Sequence, residues 1–476
     1  MSSRVLLISI NRYATPDPVF PLGLAHLNSA LRRAGHSIRW VDFLAHDLPL
    51  DQVLTEFPAD YVGISVRNID DVLIRKQETF FQGLDALCAT IRAHSRAVVI
   101  VGGSGFSIFP RELFAYAGAD YGICGAGETG LTELIRLLES GGDPRAIPGL
   151  VFKRDGRIVC NPPPPAAPDI ILADADLDAE VTGFYLRNGG MLNVQTQRGC
   201  AFHCCYCTYP VIEGCLHRRR AGEEVADEFE RAARAGAKYL SIVDSVFNSS
   251  PRHVHEICEA LVRRNLKIPW GCFLRPQGLG REEMRLMGRA GLAHIEFGSD
   301  SFCDEVLQAY GKGFTFGDVL NSSQMAREAH IDYCHFLICG GPGETRGTLQ
   351  QGFENSRRLE GAIVMAVVGM RIYPGTPLFQ QAVLEGQIER TANLLSPVYY
   401  ISSDLDRQEI FNGLQDFARL CPNWIVGDPT PAYASLVERL RRRGVVGPLW
   451  SYLSMIQRLW PQGLTPSPGP LAATPA

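Results

Sequence analysis

Three of the fourteen cysteines stand at a spacing that suits iron. Cys200, Cys204 and Cys207 lie in the run Arg198-Gly199-Cys200-Ala201-Phe202-His203-Cys204-Cys205-Tyr206-Cys207, a C-x3-C-x2-C arrangement. Three thiolates can hold three irons of a 4Fe–4S cube and leave the fourth iron open. An open iron can chelate the amino and carboxylate groups of a small molecule, which a fully ligated electron-transfer cluster cannot do. The competing chemistry is zinc, which favours paired C-x2-C knuckles in two halves. His203 and Cys215 are near enough in sequence to complete such a site, although no second knuckle follows. Cys205 breaks no part of the pattern and reads as a bystander. Cys88, Cys258, Cys303 and Cys421 stand alone and read as buried, inert thiols.

Two glycine-rich stretches come earlier, each after an apolar strand-like run: Gly102-Gly103-Ser104-Gly105 and Gly125-Ala126-Gly127-Glu128. Glycine there lets the backbone approach a ligand closely, and it serves tight packing in βα turns equally well. The basic run Arg218-Arg219-Arg220 sits in a chain of net charge −5, with 46 Lys+Arg against 51 Asp+Glu. It reads as surface or ligand-phosphate chemistry and not as a nucleic-acid footprint, since no overall basic excess points to nucleic acid.

The elements that must position these residues are α/β throughout. In residues 1–145 strand runs alternate with amphipathic helices: Val5–Ile10, Ser37–Asp42, Tyr61–Val66, Ala97–Val101 and Tyr121–Cys124 read as strands. That alternation predicts a Rossmann-like, doubly wound parallel sheet, which binds ligands beyond the carboxyl ends of its strands. A hairpin-like stretch around Asp155-Gly156 then leads into Asn161 and four prolines, so residues 146–189 read as a linker. A second series begins near Met191, with strands at Leu192–Thr196, Tyr239–Asp244, Pro269–Leu274, His294–Gly298, Tyr333–Ile338 and Ala366–Tyr373. Six βα units over residues 190–380 predict a partial (β/α)6 barrel of TIM type, with its active site at the strand C-termini. Residues 381–460 read as a mainly helical cap whose aromatics (Tyr399, Tyr400, Trp424, Trp450, Trp460) cover the barrel or its core. Residues 461–476 read as a disordered tail.

A length of 476 residues suits two or three domains at about 150 residues each. With 46% hydrophobic and 20% charged residues the composition excludes a disordered or fibrous chain. No stretch reaches the ~18 apolar residues of a membrane span. The N-terminal apolar run is too short for a signal peptide, so the expectation is a cytoplasmic protein with reduced thiols.

The cysteine triad, with aromatic Tyr206 before its last cysteine, resembles the signature of the radical S-adenosylmethionine (SAM) superfamily. Other segments agree over roughly residues 190–380. Glu223–Glu228 is similar to the first barrel helix, Asp244-Ser245-Val246-Phe247-Asn248 to the loop near the methionine moiety of SAM, and Glu296–Ser301 to the segment approaching its ribose. Gly340–Thr345 and Tyr373–Leu378 are similar to the later strand loops. The resemblance implies that Tyr206, Asp244, Glu296 and Ser299 serve SAM, although Asp300 stands where glutamate is more usual.

Residues 1–145 resemble the cobalamin-binding domain of the B12-dependent branch, on Gly63–Asp70 and the two glycine-rich loops. Ser65, Arg67, Asn68, Gly102, Gly103, Ser104, Gly105, Gly125, Gly127 and Glu128 are the implied cobalamin contacts. The Asp-x-His-x-x-Gly motif that supplies a histidine ligand is absent, and His26, His36, His46 and His94 lack its context. The expectation is cobalamin bound with its base displaced and no histidine in its place. The Ser65–Asp70 and Gly102–Phe109 stretches most resemble the tryptophan-methylating type. That implies Arg67 under the cobalt's lower face, where a guanidinium offers no lone pair, and Glu223 at the open iron. The plainer readings are a surface or phosphate-binding arginine and a helix N-terminal carboxylate.

What the resemblance implies is an enzyme using a 4Fe–4S cluster, SAM and cobalamin. Its task would be moving a methyl group from SAM through methylcobalamin to an unactivated carbon, or a phosphorus, of a metabolite, lipid or natural product. A B12-dependent cyclase or rearrangement enzyme without methyl transfer is the second reading. A B12-independent radical SAM enzyme with a structural N-terminal domain is the third. Expected partners are a small-molecule or lipid substrate and an external flavodoxin- or ferredoxin-type electron donor.

Overall fold

The structure, a computed structural model, describes residues 2–14, 17–163, 172, 174–427 and 431–452. The first sheet holds β1 (Arg4–Ser9), β2 (Ser37–Asp42), β3 (Tyr61–Ser65), β4 (Val98–Gly102) and β5 (Tyr121–Ile123), all parallel. Their apolar runs have no polar alternation because helices cover both faces; Val5, Leu6, Leu7 and Ile8 are fully buried. The order is β2-β1-β3-β4-β5, so the chain winds outward in both directions from β1. That reversal opens a crevice beyond the carboxyl ends of β1 and β3.

The hairpin expected to begin the linker belongs instead to this sheet. β6 (Leu150–Arg154) pairs antiparallel with β5, and β7 (Arg157–Cys160) pairs with β6. Asp155 (φ 51) and Gly156 (φ 75) both take left-handed backbone, which matches the twist of a two-residue hairpin. The free edge of β5 and the apolar Leu150-Val151-Phe152 run draw it in. The region 146–189 also contains a helix, Ala179–Asn188, capped by the Asp178 carboxylate. Its Tyr185 hydroxyl donates to Asp42 Oδ2 at 3.2 Å, tying the helix to the first unit.

The second sheet is a parallel, partial barrel with its strands in chain order: Met191–Val194, Tyr239–Ile242, Trp270–Leu274, Leu292–Asp300, Asp332–Cys339, Ile363–Val368 and Trp424–Val426. It has seven strands where the sequence pattern predicts six. The seventh lies in the segment read as a helical cap; at three residues it is too short to carry a period, and pairing with Val364–Ala366 makes it a strand. The sixth ends earlier than its apolar run, because Gly369 (φ 80) breaks it before the short strand Met370–Arg371. Helices Gly222–Arg234, Pro251–Arg263, Arg281–Arg289, Phe316–Glu328 and Arg346–Ser356 cover the outside. Trp460 and residues 461–476 lie outside the described residues. Among the described residues no helix is long and apolar enough to cross a membrane.

Trp450 fills the barrel interior beside Cys334 and Ile363, and its indole N–H donates to Glu296 Oε1 at 3.0 Å. Burial pushes the Glu296 carboxyl from 4.5 up to about 7, against that hydrogen bond. The folded chain therefore holds a proton that the unfolded chain releases, and stability is lost as pH rises from about 4.5 to about 7. Glu296→Gln keeps an acceptor for Trp450 and removes the charge. It is expected to stabilise the fold by about 1–3 kcal/mol at pH 8 and to change little at pH 4.5, as measured by urea unfolding. An equal effect at both pH values would show that charge is not the cause.

Candidate active site

A cavity of about 1150 Å³ separates the crevice of the first sheet from the second unit. Ser65, Arg67, Asn68 and the loops Gly102–Ser104 and Gly125–Glu128 wall it on one side. Asn193, Gln195, Arg198 and the segment 208–215 wall it on the other, with Met365, Val367 and Tyr373. Among the described residues no histidine lines it.

The first wall is built by close backbone approach. A Cβ on Gly103 (φ +104) would lie 2.6 Å from the Val66 carbonyl, so only glycine lets the two loops meet. Gly105 lies behind that wall, its N–H donating to Val66 and Arg67 carbonyls, each at 2.9 Å. Ser104 Oγ also donates to the Arg67 carbonyl, at 2.9 Å. The Arg67 guanidinium reaches the cavity and donates to the Val19 carbonyl at 3.1 Å. Burial lowers its pKa, partly offset by Tyr185 and Asp42.

Opposite, the cysteine loop leaves the first barrel strand through Gly199 (φ +86), where a Cβ would collide with the Leu216 carbonyl. Cys200 is buried, while Cys204 and Cys207 are half-buried. Burial raises the Cys200 and Cys207 thiols, the latter up to about 12, and the neighbouring thiols add to it. Metal binding would release those protons. Among the described residues no three Cys, His, Asp or Glu side chains converge on a point for a single ion. Zinc needs such convergence; a cluster does not, since each thiolate takes a different iron.

The loop is pinned from several directions. Glu213 accepts from Gly199 N and Gln195 Nε2, each at 2.9 Å. Asp244 accepts from Thr196 N at 2.7 Å and from Gln197 N at 3.2 Å, clamping the approach to the cysteines. Burial nonetheless raises Asp244 to about 7. The Tyr206 hydroxyl donates to Asp300, which also takes Lys312 Nζ at 2.6 Å. The Arg275 guanidinium stacks over Phe202 at 3.7 Å and donates to the Lys312 carbonyl. Lys312 and Arg275 thus place two cations beside thiols that would turn anionic on binding iron.

Several expected site residues lie elsewhere. Glu223 is on the exposed outer face of Gly222–Arg234, bonded to Arg263 and Arg264, whose ion pairs lower its pKa. An amphipathic helix turns one face to solvent, and Glu223 falls on that face. Ser299 is turned toward the covering helices, 2.7 Å from buried His335. Glu296 sits in the barrel interior with Trp450, and Asp244 acts as the clamp just described. The arginine run splits three ways: Arg218 lines the cavity, Arg219 bonds Ser249, and Arg220 is buried against Glu228. Sequence reading missed Glu213, Arg275 and Lys312. Arg275 alone carried a signal, a cation directly after a barrel strand.

Two buried ion pairs join the walls. Arg198 Nη2 meets Glu128 Oε1 at 2.7 Å. Burial would raise the Glu128 carboxyl, but Arg198 outweighs it and holds it at about 2. Arg371 Nε meets Asp70 Oδ2 at 2.9 Å. Asn193 Nδ2 adds a bond to the Phe20 carbonyl at 3.1 Å.

Comparison with known proteins agrees with this layout. The Radical SAM superfamily model matches residues 194–354, and the B12 binding domain model matches residues 10–135. Tryptophan 2-C-methyltransferase of Streptomyces laurentii is 26% identical over 434 residues, covering 77% of this chain and 72% of that protein. Anaerobic magnesium-protoporphyrin IX monomethyl ester cyclase of Cereibacter sphaeroides is 24% identical, covering 83% and 66%. The radical SAM methyltransferase TsrM of Kitasatospora setae, solved with cobalamin and a 4Fe–4S cluster, superposes with a TM-score of 0.85 at 24% identity, over 96% of this chain and 98% of that one. The chain is a radical SAM enzyme with an N-terminal B12-binding domain. Its two domains are those of enzymes that use a 4Fe–4S cluster, SAM and cobalamin, and several of its relatives are methyltransferases.

Anaerobic reconstitution with iron and sulfide separates the two candidate iron contacts. Replacing Cys200, Cys204 and Cys207 together by alanine is expected to abolish the thiolate–iron absorbance near ~400 nm. Glu223→Ala is expected to keep the iron content and spectrum of the parent; loss of iron in that variant would contradict its outward placement.

Proposed function

We propose that the methyl group passes from SAM to an unactivated carbon, or a phosphorus, of a small molecule held in the interdomain cavity. The observation that supports this reading is the cavity itself, walled on one side by the Arg67 and glycine loops and on the other by residues flanking the cysteine triad. Cys200, Cys204 and Cys207 would hold the cluster, with Tyr206, Lys312 and Arg275 fixing the loop around it. Ser65, Arg67, Asn68, Gly102–Ser104 and Gly125–Glu128 would cradle cobalamin, Arg67 closing its lower face. When bound, cobalamin supplies a methyl carrier, and the cluster with SAM supplies the methyl donor.

The residues themselves perform placement and exclusion. With cobalamin bound, Arg67 would offer the cobalt no lone pair and would occupy space that water could otherwise enter. Met365, Val367 and Tyr373 give the substrate end an apolar and aromatic wall. TsrM has been solved with tryptophan and a SAM analogue bound. An aromatic amino acid is therefore the first class to test here, ahead of lipids and natural-product scaffolds. The chemistry also calls for a low-potential electron donor of flavodoxin or ferredoxin type, in a cytoplasmic setting. The cyclase relative supports a second reading, ring formation without methyl transfer.

Protein reconstituted with iron, sulfide and hydroxocobalamin is expected to retain cobalamin through gel filtration. Given SAM labelled with deuterium in its methyl group, it should yield a product heavier by one labelled methyl. A product without label, formed at the expense of substrate hydrogens, would favour the cyclase reading. Retention of the cluster without cobalamin would reduce the chain to a B12-independent radical SAM enzyme.

A further inference from the structure

We infer that the buried pair Asp70–Arg371 is a positioning device that sets the Arg67 loop, and with it the lower face of the cobalamin site, against the barrel. This rests on the cobalamin reading above and adds residues to it. Both side chains are almost fully buried, at 0% and 3% exposure, and they come from different units, 301 positions apart in sequence. Arg371 lies just past the end of the sixth barrel strand. Its guanidinium is held in a fixed orientation: Nε to Asp70 Oδ2 at 2.9 Å, Nη1 to the Ile372 carbonyl at 2.7 Å and Nη2 to the Leu394 carbonyl at 2.7 Å. The planar fork of arginine allows that geometry and lysine would not.

Asp70 passes the constraint along its own loop. Its Oδ1 accepts the Val72 N–H at 3.1 Å and the hydroxyl of Tyr373, a cavity-lining residue, at 3.4 Å. Arg67 lies three residues before it, with its carbonyl held from the other side by Ser104 and Gly105. The 67–70 segment is thus fixed at one end by the Gly103–Gly105 loop, and at the other by the barrel together with the backbone bonds Phe80 N–Ile69 O (2.8 Å) and Asp71 N–Glu78 O (3.0 Å). Removing the barrel anchor leaves the segment tied only to its own unit, so its place relative to the barrel is no longer set. Among the described residues the Arg67 guanidinium donates to one carbonyl, that of Val19, so it would move with that segment.

A buried pair contributes little net stability compared with an apolar pair of similar size, whereas removing one partner strands a charge. This separates positioning from folding. Asp70→Asn strands the Arg371 charge and is expected to lower the melting temperature. Asp70→Leu combined with Arg371→Met removes both charges and is expected to fold and to bind hydroxocobalamin. The reading is taken from electron paramagnetic resonance of the bound cob(II)alamin. The parent should show a cobalt with no lower ligand, and the double variant a water-ligated one. Its kcat for methyl transfer should fall on the order of 10- to 100-fold with KM little changed. Arg371→Lys, which keeps the charge and loses the fork, should shift the spectrum in the same direction. A parental spectrum in both the double variant and Arg371→Lys overturns the inference while leaving the cobalamin reading intact. A parent protein that takes up no hydroxocobalamin overturns both.

Discussion

The ion pair between Glu128 and Arg198 is the contact on which the arrangement of the site depends. Glu128 ends one of the glycine-rich loops of the first sheet, and Arg198 stands two residues before Cys200. One charged contact therefore fixes the distance from the crevice to the cysteine loop. Both groups are largely removed from water, so the attraction between them is weakly screened and the geometry tightly defined. Such pairs define orientation more than they add stability. Asp70–Arg371 is a second buried ion pair between the two units.

Each wall is itself a compromise between closeness and chemistry. At Gly103 and Gly199 the backbone comes so near another strand or loop that no side chain fits. Those approaches bring rigid backbone to the cavity in place of mobile side chains, which is how a site can hold large cofactors without losing position. The cysteine loop adds an electrostatic layer. Burial raises the Cys200 and Cys207 thiols, and Lys312 and Arg275 stand beside the loop. An anionic cluster would find its counter-charges already ordered, so little reorganisation is needed when it forms.

The barrel interior is finished from the far end of the chain. Trp450 occupies space next to Cys334 and Ile363, and Glu296 accepts its indole N–H. A carboxyl that the family resemblance suggested for the SAM ribose thus anchors the plug of the barrel. Asp244 is a parallel case, spending its oxygens on the backbone that leads to the cysteines. Buried acids that hold backbone or indole N–H groups look, in sequence, the same as acids that hold ligands.

Local pattern alone determined the cysteine triad, the two alternating α/β units and most strand positions. These rest on spacing within a few residues and on the continuous apolar runs that doubly covered parallel strands require. It also marked the glycine-rich loops, and the family resemblance added Arg67; both line one cavity wall. The tertiary structure decided what spacing cannot carry. Pairing with an open edge turned β6, β7 and Trp424–Val426 into strands. The rotation of one helix put Glu223 in water with Arg263 and Arg264, while Glu213, in a helix of five residues, took the place beside Gly199. Arg371 and Asp70 meet only because segments 301 positions apart fold onto one another. Contacts between residues hundreds of positions apart leave no local period, so only the folded chain reveals them.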